Sequence, residues 1–171
     1  MRHTMLLFSS LFLFACGPTK GPVTTVGASI FTSDVTTVVA ENHGGGFVPT
    51  PPPGSACALG SAKYTLSVGS KLFDWTRCVS SGMMPYTVAK GSRTLTDAEY
   101  KNLVPYLENL TVVAGDGTCG ADKGSLDVTI TTPSGTQIYG DSFYSCSIKD
   151  KPLVKTDALD RLFGQLYTLA M

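Results

Sequence analysis

Twice in this chain an alternating apolar and polar stretch runs to a tight turn and comes back, each time between two cysteines. In the first, Tyr64, Leu66 and Val68 alternate with Lys63, Thr65 and Ser67, Gly69-Ser70 turns, and Leu72 to Val79 returns. In the second, Leu126, Val128 and Ile130 alternate with Asp127, Thr129 and Thr131, Pro133-Ser134-Gly135 turns, and Gln137 to Cys146 returns. A period of two is that of a strand with one apolar face. Two antiparallel hairpins follow, each with a face that has to be covered. Cys57 and Cys78 flank the first hairpin, Cys119 and Cys146 the second. Strand pairing draws each couple together, which favours Cys57–Cys78 and Cys119–Cys146 over the two crossed connectivities. By chain entropy each bridge is worth about 3 kcal/mol.

The cover is helical. Thr96-Asp97-Ala98-Glu99 reads as a capping box, in which the threonine oxygen and the glutamate serve amides left free at a helix start. Tyr100, Leu103, Val104, Leu107 and Leu110 follow at helical spacing, with Pro105 expected to kink or loosen the helix. Thr156-Asp157 is expected to cap a second helix whose stripe is Leu159, Leu162, Phe163, Leu166 and Leu169. Pro85 to Leu95 and Leu110 to Ala114 add strands, and Gly91 and Gly140 are expected bulges or bends. The fold class is α+β: an antiparallel sheet built from two disulfide-linked hairpins, with two helices on one face. Both helices open on Thr-Asp-Ala, and each return strand carries an aromatic shortly before its cysteine, Trp75 and Tyr144. The pattern is that of a ββα tandem repeat, or of chance likeness between two ordinary ββα units.

Upstream the composition changes. Arg2 and His3 precede an apolar run from Met5 to Phe14, interrupted by Ser9 and Ser10, and Ala15 stands before Cys16. A run this short does not span a bilayer, which takes about 17–25 apolar residues, but it suits a secretory signal. Leu13-Phe14-Ala15-Cys16 resembles a bacterial lipobox. The resemblance implies that residues 1–15 are a signal peptide, that the Cys16 thiol takes a diacylglycerol, and that Cys16 becomes the mature N-terminus. It implies a partner in the membrane itself and a place in the cell envelope. Gly17 in place of an aspartate points, by analogy with Gram-negative sorting, to the outer membrane. Plain secretion after Ala15, or a buried N-terminal helix, are the alternatives. With Cys16 lipidated, four of the five cysteines are left, an even number suited to two disulfides in an exported chain.

Residues 16–56 read as a tether. Gly17-Pro18 opens it, and Gly44-Gly45-Gly46 and Pro49-Thr50-Pro51-Pro52-Pro53-Gly54 close it, a composition poor in core-forming side chains. Between these ends Val23 to Ala40 is rich in Val, Thr and Ile, either a strand that docks on the domain or a disordered stretch. The domain itself is placed at 57–171.

Lysine plus arginine equals aspartate plus glutamate, 13 each, so there is no basic excess to suit a nucleic acid. Past the signal, the one histidine is His43, expected to be solvated in the tether, which argues against Ser-His-Asp or Cys-His catalysis. Asp116, Asp122 and Asp127 surround Cys119 without the spacing of a calcium loop and read as solvated turn residues. Glu99 is committed to a cap and Glu108 lies on the polar side of the same helix, so a carboxylate pair for glycosidase chemistry has little support. No phosphate-binding glycine loop precedes a helix. Catalytic, metal and cofactor sites are therefore not expected. Phe73, Trp75, Tyr139, Phe143 and Tyr144 are core side chains or, on an open sheet face, a contact surface. The expectation is a non-enzymatic envelope protein whose domain binds an envelope or extracellular protein. Exported inhibitors of hydrolases are the narrower alternative, because β-lactamase inhibitor proteins resemble this plan in architecture. An enzyme using carboxylates is the third.

Overall fold

The computed structural model describes residues 23–44, 51–82, 84–117, 120 and 123–171. The signal 1–15, Cys16, Cys119 and Asp122 lie outside the described residues. The elements in chain order are β1 (Thr37–Asn42), β2 (Ala62–Ser67), β3 (Leu72–Val79), β4 (Thr87–Thr94), α1 (Asp97–Glu108), β5 (Val112–Val113), β6 (Leu126–Thr132), β7 (Gly135–Asp141), β8 (Leu153–Val154) and α2 (Thr156–Leu169). The strands form one sheet in the order β4-β3-β2-β1-β6-β7-β8-β5. Every pairing is antiparallel except β7 with β8. The class is α+β.

The tether boundary at Cys57 is corrected. β1 lies in the middle of the sheet, paired with β2 on one side and β6 on the other along its whole length. Of the two readings left open for Val23 to Ala40, docking is the one observed. Ile30 and Val35 are buried, Ile30 N donates to Leu110 O at 2.9 Å, and Val112 N donates to Ala28 O at 3.0 Å. The glycines and prolines that resembled spacer flank a strand instead. Pro51 to Ala56 is also tied down, with Ala56 N donating to Tyr86 O and Tyr86 N to Ser55 Oγ.

One core serves all these elements. Val38 and Ala40 of β1 share a sheet face with Tyr64, Leu66, Phe73, Leu126, Val128, Ile130 and Tyr139. Leu103 and Leu107 of α1 and Leu159, Leu162 and Leu166 of α2 complete it. Val38, Ala40, Tyr64 and Leu66 meet Leu107 and Leu166 around one small void, so both helices lie on the same face. Each buried leucine is worth about 1.5–3 kcal/mol by transfer from water.

The topology bears on the expected repeat. β2 and β6 are both antiparallel to β1, hence parallel to each other, yet β3 is added on one side and β7 on the other. With both helices on one face, the two ββα units have opposite hands and no rotation superposes them. The next strands differ too: β4 is antiparallel to β3, whereas β8 is parallel to β7.

The local signals meet mixed outcomes. The Thr96–Glu99 capping box is present, and α1 continues through Pro105 to Glu108. α2 is different: its N-cap is Lys155 with no side-chain cap bond, because the Thr156 hydroxyl donates instead to Asp141 Oδ1 at 2.5 Å. Neither Gly91 nor Gly140 is a bulge: the β3–β4 ladder runs unbroken past Gly91, and the β6–β7 ladder keeps its register up to Gly140, its terminal pair. Gly91 is paired with Trp75, and a Cβ there would sit 2.1 Å from the indole. Gly140 leaves room for the stem of Lys151 and for Ile148, whose nearest atoms lie 2.9 and 3.0 Å from where a Cβ would be. Cys57 and Cys78 form a disulfide, closing a separation of 21 residues. Cys146 is also disulfide-bonded.

Candidate binding face

The helices cover one side of the sheet. The alternation that aims the apolar residues at them aims the polar ones the other way. Along β1 this outer face carries Thr37 and Glu41 on either side of the apolar Val39; the partners of the three on β2 are Ser67, Lys63 and Thr65, and on β6 Thr131, Asp127 and Thr129. β3 and β4 extend the face with Asp74 opposite Ser92 and Thr76 opposite Lys90. A shallow groove is lined there by Lys63, Thr65, Asp74, Thr76, Lys90 and Ser92.

One row of this face carries a charge at every position but Thr76: Lys90, Thr76, Lys63, Glu41, Asp127. Glu41 and Asp127 stand directly opposite each other on neighbouring strands, an arrangement that destabilises unless cations intervene. They do. Lys63 Nζ lies 3.0 Å from Glu41 Oε1, and Lys151 Nζ lies 2.6 Å from Asp127 Oδ1. Lys151 reaches β6 across β7 over the bare Cα of Gly140. His43 Nε2 takes the other Asp127 oxygen, Oδ2, at 3.1 Å. With Lys63 55 % and His43 49 % exposed, the Lys63–Glu41 and His43–Asp127 pairs contribute at most about 1 kcal/mol each. The row is therefore a pattern of fixed charge more than a source of stability.

Three expectations about site residues are corrected here. His43 is not idle in a tether; it follows β1 directly and is bonded to Asp127, and Asp127 is a strand residue, not a turn residue. The aromatic contact surface is not on the open face. Phe73 and Tyr139 are wholly buried, the latter donating its hydroxyl to Val23 O at 2.8 Å, and burial raises its pKa. Trp75 lies on the helical side, stacked on Phe73 with centroids 5.5 Å apart. Phe143 and Tyr144 sit beyond β7 in a 3-10 turn, Ser142–Tyr144, edge to face at 5.3 Å. Glu41, Lys63, Asp74, Thr76 and Lys90 were missed as site residues. Their signal was the polar half of the same alternation, and Glu41 fell within the presumed tether.

Fold and face together define a small disulfide-bonded α+β domain with, among the described residues, a single helical layer and a largely polar, charge-patterned sheet surface. No protein-family model matches the chain, and neither a curated protein nor a solved structure matches it.

Proposed function

We propose that the protein is a lipid-anchored protein of the bacterial envelope whose domain binds another macromolecule through the uncovered face of the sheet. The observation that carries the binding half is the one-sided cover: both helices share a core with one face, and the opposite face displays Lys90, Thr76, Lys63, Glu41 and Asp127 in one row. The anchoring half rests on Leu13-Phe14-Ala15-Cys16 and on cysteine parity. Cys57 is bonded to Cys78 and Cys146 has a disulfide; pairing of Cys146 with Cys119, the hairpin's other flank, leaves Cys16 for the lipid. Inhibition of a hydrolase is the narrower case of the same function.

Two experiments separate the halves. The mature mass of the expressed protein should correspond to a chain starting at acylated Cys16, and Cys16→Ser should leave unlipidated precursor. Normal cleavage and solubility in that variant would overturn the anchor. For binding, the full chain carrying Cys16→Ser is immobilised beside a copy that also carries Lys63→Glu and Lys90→Glu. A single envelope protein captured by the first and lost from the second supports the face. Equal capture by both removes it. Adding the chain to an assay of the captured protein then tests inhibition.

A further inference from the structure

We propose that the groove between α1 and α2, on the helical side of the molecule, is a binding site for a phosphate-bearing ligand. The sorting of charge leads to it. Lys63, Lys71, Arg93, Lys123 and Lys151 each meet a carboxylate. Among the described residues, Lys101, Lys155 and Arg161 make no ion pair, and all are exposed. These three line the groove between α1 and α2, which consists of two adjoining pockets with shared lining residues. Its broad end lies between Lys101, Asn102 and Pro105 on one side and Arg161 and Gln165 on the other. Its narrow end holds Lys155 and Asp157, and Tyr106, Asn109 and Arg161 line both ends.

The helical spacing builds this arrangement. Lys101, Pro105 and Asn109 recur every four residues along α1, and Asp157, Arg161 and Gln165 do so along α2, so two rows face each other. Pro105 and Ala158 are short and leave the floor low. The broad end contains no acid, and Asp157 belongs only to the narrow one. A guanidinium fork, an ammonium and the amides of Asn102, Asn109 and Gln165 offer more donors than a carboxylate can accept. They suit the several oxygens of a phosphate group. The other described cations without an ion pair, Arg77, Lys90 and Lys149, lie elsewhere, with Arg77 against the ring of Tyr167.

The chain's net charge of zero makes the test selective, because the whole molecule is not drawn to anions. The full chain carrying Cys16→Ser is titrated with inorganic phosphate against matched chloride. It is also titrated with vesicles of phosphatidylglycerol in phosphatidylcholine, against phosphatidylcholine alone. Saturable phosphate binding assigns the groove to a soluble phosphorylated ligand; binding only to the phosphatidylglycerol vesicles assigns it to a lipid headgroup. Either should weaken at least about tenfold when Arg161→Gln and Lys101→Gln are combined, the scale of losing one charge-assisted hydrogen bond. Lys149→Gln, which removes an equally unpaired, exposed charge outside the groove, should change nothing. Responses to phosphate and to phosphatidylglycerol vesicles no greater than to chloride and phosphatidylcholine, measured on the chain without the groove substitutions, overturn the proposal. So does an equal loss in Lys149→Gln.

Discussion

Asp141 is a wholly buried carboxylate held by three neighbours, Thr156, Phe143 and Lys123. Oδ1 accepts from the Thr156 hydroxyl and from Phe143 N, and Oδ2 lies 3.0 Å from Lys123 Nζ, which also meets Asp160 at 2.7 Å. The Lys123–Asp141 contact has ion-pair distance without hydrogen-bond alignment, so its strength is that of charge in a poorly solvated site. Asp141→Asn leaves Lys123 with one exposed acid and should cost about 3 kcal/mol in urea unfolding. Adding Lys123→Met should recover part of that, and an unchanged midpoint in the single variant would show the pair to be incidental. Glu99 is the other residue with a readable consequence. The Arg93 hydrogen bond, then the Thr96 amide and hydroxyl, push its carboxyl pKa down to about 2. A depressed pKa means that its contribution is complete above the ordinary glutamate value and disappears as pH falls through the folded one. The gap in unfolding midpoint between the parent and Glu99→Gln should thus be constant above about pH 5 and close near pH 2. A gap that persists at pH 2 would show that the cap does not depend on the charge. Glu99 was legible from Thr-x-x-Glu alone. Asp141 was not, because the groups that hold it come from Lys123, Phe143 and Thr156, a set no local motif joins.

At the level of elements, legibility followed the range of the forces. Both hairpins and α1 were readable because their instructions are local: alternation, a turn and a cap. The strand expected within Leu110 to Ala114 is present as β5, whereas β8 is too short to show a period and exists by pairing with β5 and β7. β1 was half hidden because its neighbours in sequence are glycine and proline, while its neighbours in space are β2 and β6. That placement has a consequence for truncation. A fragment from Ser55 to Met171 lacks the strand that joins the two halves of the sheet, and exposes the edges of β2 and β6 to solvent and to other chains. It should be aggregated or lack a cooperative transition by circular dichroism, whereas a chain beginning at Val23 should fold. A soluble, cooperatively folded fragment would mean that β1 is an accessory to a domain already complete at residue 57.

For the whole molecule the question is whether two similar halves behave as two units. Opposite hands argue against a superposable duplicate, and the core argues against independence. Val38 and Ala40 of β1 contact the same interior as Leu66 of one half and Val128 of the other, and Leu107 and Leu166 meet over them. Arg93 reinforces the union: from β4 it holds Glu99 at the start of α1 with two hydrogen bonds and donates to Leu169 O at the end of α2, 3.0 Å away. Opening either half would therefore uncover the apolar face of β1 and one of the two leucines above it. That loss exceeds what a half could keep, since at about 1.5–3 kcal/mol per exposed leucine a few such residues equal the typical stability of a domain. Heating the oxidised chain should give a single calorimetric transition whose enthalpy equals the van't Hoff value. Two resolved transitions, or a calorimetric enthalpy about twice the van't Hoff one, would show that each ββα unit holds its own core and that β1 bridges two domains.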